Sequence, residues 1–267
     1  MNPSTIEPSK GAALRRAMLN KVPEVALGFW VIKILATTVG ETVADYLAVG
    51  AGFGTTATNL AMASFLAVVL VMQMRKREYT PWVYWLAVVL VSIVGTQITD
   101  LLTDGMGVSL YWSTGVFAAA LAAIFAAWYG KEKTLSIHTI NTLPRELFYW
   151  VAILCTFALG TAAGDLATEA LGLGFQVGVF VFAGLIAAIA LAYYMGASAV
   201  LTFWLAYILT RPLGAALGDL LTQAKEYGGL GLGAMWTSVI FLSVILALVA
   251  MAQSKATQKQ GMLPAAP

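Results

Sequence analysis

Charge is what this sequence has least of. Only 10% of its 267 residues are Asp, Glu, Lys or Arg, where an ordinary soluble domain carries about 25%. By contrast 60% are apolar, and the mean hydropathy is +0.83. This composition excludes a soluble globular domain and points to a membrane protein. Fifteen basic against thirteen acidic residues give a net charge of +2 with no long basic run, which removes the electrostatic footprint that nucleic-acid binding requires. Cysteine and histidine are nearly absent. Cys155 has no second cysteine to pair with, and His138 has no Cys or His neighbour at metal-ligand spacing, so a disulfide framework, zinc chemistry and Cys–His catalysis drop out. No nucleophile and base stand together in the pattern, and an enzyme is not expected.

What is present is a series of long apolar runs. A helix needs about 20 mostly apolar residues to cross a bilayer, and eight stretches qualify: 22–47, 58–74, 82–102, 111–129, 146–168, 175–195, 199–222 and 232–252. The second is short and is expected to begin earlier. Residues 1–21 read as a retained polar tail, because no apolar segment closes on a small-residue cleavage site, and 253–267 read as a second tail around the membrane domain 22–252. Basic residues set the direction of crossing. Lys10, Arg15, Arg16, Lys21, Arg75, Lys76, Arg77, Lys131, Lys133, Arg145, Lys255 and Lys259 lie in the tails and in the second and fourth loops, whereas the opposite loops carry Lys225 alone. Twelve against one predicts both termini in the cytoplasm.

An internal repeat organises these runs. Trp30, Trp85, Trp150 and Trp204 each follow an aromatic residue, Phe29, Tyr84, Tyr149 and Phe203. Ten residues after each tryptophan stands Gly40, Gly95, Gly160 or Gly214, and five further on Asp45, Asp100, Asp165 or Asp219. The pattern W-x9-G-x4-D thus occurs four times without a miss. Each repeat holds two helices, over approximately 22–77, 78–134, 142–196 and 197–252, so successive repeats enter the membrane in the same direction. The expected fold class is an all-α membrane protein, with eight transmembrane helices arranged as four parallel two-helix repeats. The aspartates should then share one depth toward the non-cytoplasmic side, on helices one, three, five and seven. The glycines form small-xxx-small pairs with Ala44, Thr99, Gly164 and Gly218, which lets helix backbones approach closely. The tryptophans read as interfacial anchors or packing residues.

The run Lys21-Val-Pro-Glu-Val through Phe29-Trp30, with Thr37-Thr38-Val39-Gly40-Glu41-Thr42 and later Gly160-Thr161-Ala-Ala-Gly164-Asp165, resembles a bacterial membrane protein family. That family is built of four tandem two-helix repeats of unknown function, each with a characteristic tryptophan. The resemblance extends from about Lys21 to Met251. It implies the fold, the topology and a place in the bacterial inner membrane, and it brings no activity with it.

Function is therefore read from the residues. Residues four apart share a helix face. Counting back from the aspartates gives Asp45, Glu41, Thr37, Lys33; Asp100, Thr96, Ser92, Val88; Asp165, Thr161, Phe157, Ile153; and Asp219, Ala215, Arg211, Tyr207. Ionisable groups at the centre of a membrane helix cost about 2.5–3.5 kcal/mol each on insertion scales, so these stripes should face one another or water. Five acids against two bases, Lys33 and Arg211, favour a positive substrate, and oxygen ligands without His, Cys or Met suit a hard cation such as Mn, Mg or Ca. The expected function is a cation carrier. Asp45, Asp100, Asp165, Asp219, Glu41, Thr96 and Thr161 would bind the cation or relay protons, the four aspartates being the metal ligands, while Lys33 and Arg211 would neutralise acids on neighbouring helices. Asp45 and Asp165, supplemented by Glu41 and Glu169, are expected to matter most. No cofactor is identified beyond a bound divalent cation. The partners are the lipid bilayer and the cation, with a homo-oligomer compatible and nucleic acid not expected. Two alternatives stay open: a proton-coupled carrier of a small organic solute, and a non-transport scaffold or sensor whose charges form an internal salt-bridge network.

Overall fold

The computed structural model describes residues 20–50 and 54–261; the first tail, with Lys10, Arg15 and Arg16, and the last residues 262–267 lie outside the described residues. Among the described residues there are eight long helices and no strand: α1 (Leu27–Asp45), α2 (Thr55–Arg75), α3 (Pro81–Asp100), α4 (Leu110–Glu132), α5 (Leu143–Asp165), α6 (Gly174–Tyr194), α7 (Ala199–Thr222) and α8 (Ala234–Gly261). All eight are long and apolar enough to cross a membrane, and the chain is an integral membrane protein.

The ends of the helices follow local chemistry. Pro81 and Pro144 occupy first-turn positions, where the missing N–H costs nothing. The second helix does begin earlier, at Thr55, after Gly54 with φ 81°. The first begins later than the apolar run implies, at Leu27 instead of residue 22. Pro23 precedes it, and the segment before it is fastened from the side. The buried Lys21 ammonium lies 2.5 Å from Glu146 on α5 and donates to the Met74 carbonyl at the end of α2. After each of the first three repeat aspartates the helix loosens into a π-helical turn, Tyr46–Gly50, Leu101–Gly105 and Leu166–Ala170.

The odd-numbered helices form the interior. Each packs on the next in a closed ring, α1 on α3, α3 on α5, α5 on α7 and α7 on α1. Even-numbered helices lie outside, each mainly against the first helix of the following repeat: α2 on α3, α4 on α5, α6 on α7, and α8 back on α1. The spanning segments of the odd helices are 61–72% buried, and those of the even helices 11–22%. The charge-free faces of the even helices are thus the ones left for lipid, where exposed apolar side chains need no partner.

The same contacts recur at every ring interface. A Cβ on Gly40 would run into Ser92, one on Gly95 into Phe157, one on Gly160 into Arg211, and one on Gly214 into Thr37. Each of those neighbours stands eight residues before the aspartate of its own helix, so the repeat glycine is the seat for the next repeat's stripe. Sixteen residues before the aspartates the aromatic pairs interlock in the same order. Phe29 meets Trp85 at 5.6 Å between ring centroids, Tyr84 meets Trp150 at 5.6 Å, Tyr149 meets Trp204 at 6.3 Å, and Phe203 meets Trp30 at 5.8 Å. The tryptophans are therefore packing residues. Trp85, Trp150 and Trp204 are buried and Trp30 half-buried, and the exposed tryptophans suited to an interface are Trp82, Trp112 and Trp236.

A candidate cation site in the ring of odd helices

The ring is closed by aromatic rings at one end and hollow at the other. Beyond the glycine seats lies a cavity of about 1010 Å³, lined by Asp45, Asp100, Asp165 and Asp219, one from each repeat, together with Glu41. Asp219 and Glu41 are buried, and the other three aspartates half-buried. One carboxylate oxygen from each of Glu41, Asp45 and Asp219 falls within 4.8 Å of the other two, close enough for a single cation to bridge them. Asp219 thus joins Asp45 and Glu41, while Asp165 stands outside this trio. The cause is the closure of the ring: α7 and α1 are neighbours, so the last repeat's aspartate meets the first repeat's Glu41.

Two further acids stand at the mouth. Asp104 and Glu169 line the same cavity and are exposed. Each lies four residues beyond its repeat aspartate, inside a π-helical turn. Glu169 was legible as one turn past Asp165; Asp104 obeys the same spacing and was missed, although continuing the four-residue count past the aspartate finds it. The amide side chains of Asn59, Gln97 and Gln223 also line the wall, and nothing in the repeat pattern singles them out.

Glu41, at the floor of the cavity, rests on a buried cation. Arg211, 1% exposed, pairs through Nη2 with Glu41 across the α7–α1 interface and donates to the hydroxyl of Thr96 on α3. Its Nη1 donates to the Thr37 carbonyl at 3.4 Å. Arg211 thus meets an acid on a neighbouring helix. Lys33 does not. Its Nζ lies 4.0 Å from the Phe157 ring centroid and 4.2 Å from that of Tyr207, with no hydrogen-bond partner. Thr96 and Thr161 do not line the cavity. Thr96 is spent on Arg211, Glu41 and the Ser92 carbonyl, and Thr161 donates to the Phe157 carbonyl of its own helix at 3.1 Å, the usual back-bond of a buried helical threonine. Beyond Lys33 the aromatic layer closes the ring, with the hydroxyls of Tyr84 and Tyr149 2.5 Å apart.

An eight-helix membrane bundle built from four copies of one helical pair, with a carboxylate chamber at one end of its inner ring, is the class that this geometry defines. The chain belongs to the family whose model is described as Repeat of Unknown Function (DUF347), which matches four times, over residues 28–79, 83–134, 148–197 and 202–256. No curated protein and no solved structure matches it.

Proposed function

We propose that the protein is a carrier for a hard divalent cation such as Mn, Mg or Ca, held by Glu41, Asp45 and Asp219 and attracted by the other acids of the chamber. The observation that carries this reading is seven carboxyl groups around one cavity, three of them within bridging distance, with no histidine or cysteine among the lining residues. Crowded carboxylates in a poorly solvated space repel one another unless a cation or proton offsets them, and oxygen donors alone suit hard cations. A carrier fits better than an open pore, because Arg211 and the aromatic layer close the ring below the chamber.

The four repeats cross the membrane in the same direction in this reading. The identical register of the glycine seats from one repeat to the next supports it. Both termini and the Lys21–Glu146 end face the cytoplasm, so the chamber opens to the other side of the bacterial inner membrane. Labelling of single cysteines in intact cells tests this: a probe that cannot cross the membrane should reach a cysteine at Lys225 and not one at Lys76, and labelling of both would overturn it.

The cation reading is tested by the melting temperature of the purified chain with Mn, Mg or Ca at several pH values. A bound cation should raise it, by about 2.7 kcal/mol of stability at a hundredfold excess over Kd. Asp45→Asn and Asp219→Asn should lose most of that rise and Asp165→Asn only part of it. The second reading, an internal network with no transport, draws on the buried Arg211–Glu41 pair. It stands if the variants melt early while no cation shifts the parent protein at any pH.

A further inference from the structure

Lys33 has no place in the chamber, yet among the described residues its ammonium is buried with no hydrogen-bond partner. It is 1% exposed, sits two helical turns below Glu41 on α1, and its Nζ has no hydrogen-bond acceptor among the described residues. Burying an amine without an acceptor is costly, and a leucine or methionine would fill the space without that cost. What supports the ammonium here is the pair of ring faces of Phe157 and Tyr207. The other charged and titratable residues on the helices around it are Glu41 and Asp45 on its own helix, Tyr84 and Asp100 on α3, Arg145, Glu146, Tyr149, Cys155 and Asp165 on α5, and Tyr207, Arg211 and Asp219 on α7; α8, which also packs on α1, carries Lys255 and Lys259 near its far end. No carboxylate touches it among the described residues.

We infer that Lys33 is the proton-carrying residue of the carrier, so that a cation entering the Glu41, Asp45 and Asp219 site is exchanged for a proton leaving Lys33, with Arg211 linking the two. The inference rests on the cation reading above. The Arg211 guanidinium pairs with Glu41, and one turn before it on α7 stands Tyr207, whose ring lies against Lys33. A protonated Lys33 repels the guanidinium toward Glu41, and Arg211 then occupies an oxygen that the cation needs. When the N–H bond of Lys33 breaks, the electron pair stays on Nζ and the proton leaves to solvent water. The repulsion is then gone, the two ring faces are free to take the guanidinium, and Glu41 is released to the cation. In the structure Lys33 Nζ lies on the two rings while Arg211 pairs with Glu41.

The test uses the full chain in liposomes, with manganese(II) as the probe and internal dyes for the metal and for pH. The wild-type protein should move protons opposite to manganese, and an imposed pH gradient alone should drive manganese accumulation. Lys33→Met should still pass manganese down its own gradient while losing at least about tenfold of the proton movement, within the range of ordinary coupling energies. Lys33→Arg, permanently charged, should pass neither. Manganese transport by the wild-type protein with no proton movement overturns the inference and leaves the carrier reading standing; that arm needs no variant to fold. Coupling that survives in Lys33→Met overturns it as well. A wild-type protein that moves no manganese overturns the carrier reading and this inference together.

Discussion

The two ends of the inner ring are built by the same four helices in the same register, sixteen residues apart, and they behave as opposites. At the aromatic end each interface repeats the last: Phe29 on Trp85, Tyr84 on Trp150, Tyr149 on Trp204, Phe203 on Trp30. Any one contact is worth about 0.5–1.5 kcal/mol beyond the area it buries, and the layer closes because all four are alike. At the acidic end the repeated aspartates do not make the arrangement; the unrepeated residues do. Glu41 occurs only in the first repeat and Arg211 only in the fourth, and ring closure brings them together. Asp104 and Glu169 fall in the second and third repeats and widen the mouth. Repetition supplies a scaffold of known register, and the departures from repetition place the chemistry.

The strongest way to break that comparison is to remove one member of the unrepeated pair. Arg211→Met leaves Glu41 buried and unpaired, and breaking a buried ion pair from one side costs about 3–5 kcal/mol. Adding Glu41→Gln to Arg211→Met should recover most of the loss, because neither charge is then stranded. At the aromatic end, Tyr149→Phe removes one hydroxyl from the Tyr84 pair and should cost only about 1 kcal/mol. Thermal melting of the four proteins in one detergent checks both numbers. Equal losses at the two ends, or a double variant no better than Arg211→Met alone, would mean that the pair is not what stabilises the chamber floor.

Much of this was legible before the structure, and the limit falls at a definite place. Four-residue counting along one helix identified the interior stripe, since Asp45, Asp100, Asp165, Asp219, Glu41, Lys33 and Arg211 all turn inward. It could not say which stripe faces which, because that depends on the order in which helices close. The pairing of Asp219 with Glu41 follows from α7 meeting α1, a contact between the two ends of the sequence. The same limit applies to Thr161, whose hydroxyl is satisfied by its own helix, and to Lys33, which met two rings in place of a carboxylate. It applies also to Lys21, counted as a tail charge but buried against Glu146, more than a hundred residues away. Local periodicity reports the face of a helix, and only packing reports its neighbour.

The smallest expected effect sharpens the comparison inside the chamber itself, between its floor and its mouth. Asp104 is exposed, four residues past Asp100, and it has no place in the Glu41, Asp45 and Asp219 cluster. Its carboxylate acts on an approaching cation only through water, where the attraction is weak and screened by salt. Asp104→Asn should therefore leave the melting temperature without metal unchanged, within about 0.5 kcal/mol of stability. It should weaken manganese binding by less than about fivefold, the worth of an exposed charge pair, and raising the ionic strength should erase the difference from the wild-type protein. Asp45→Asn should weaken binding far more and keep doing so at high salt, because its carboxylate would touch the ion. Manganese titrations of both variants at low and high salt separate the two roles. If Asp104→Asn proved as damaging as Asp45→Asn and equally indifferent to salt, the cation would be held at the mouth, and the buried cluster would be a counterweight to Arg211 instead of a binding site.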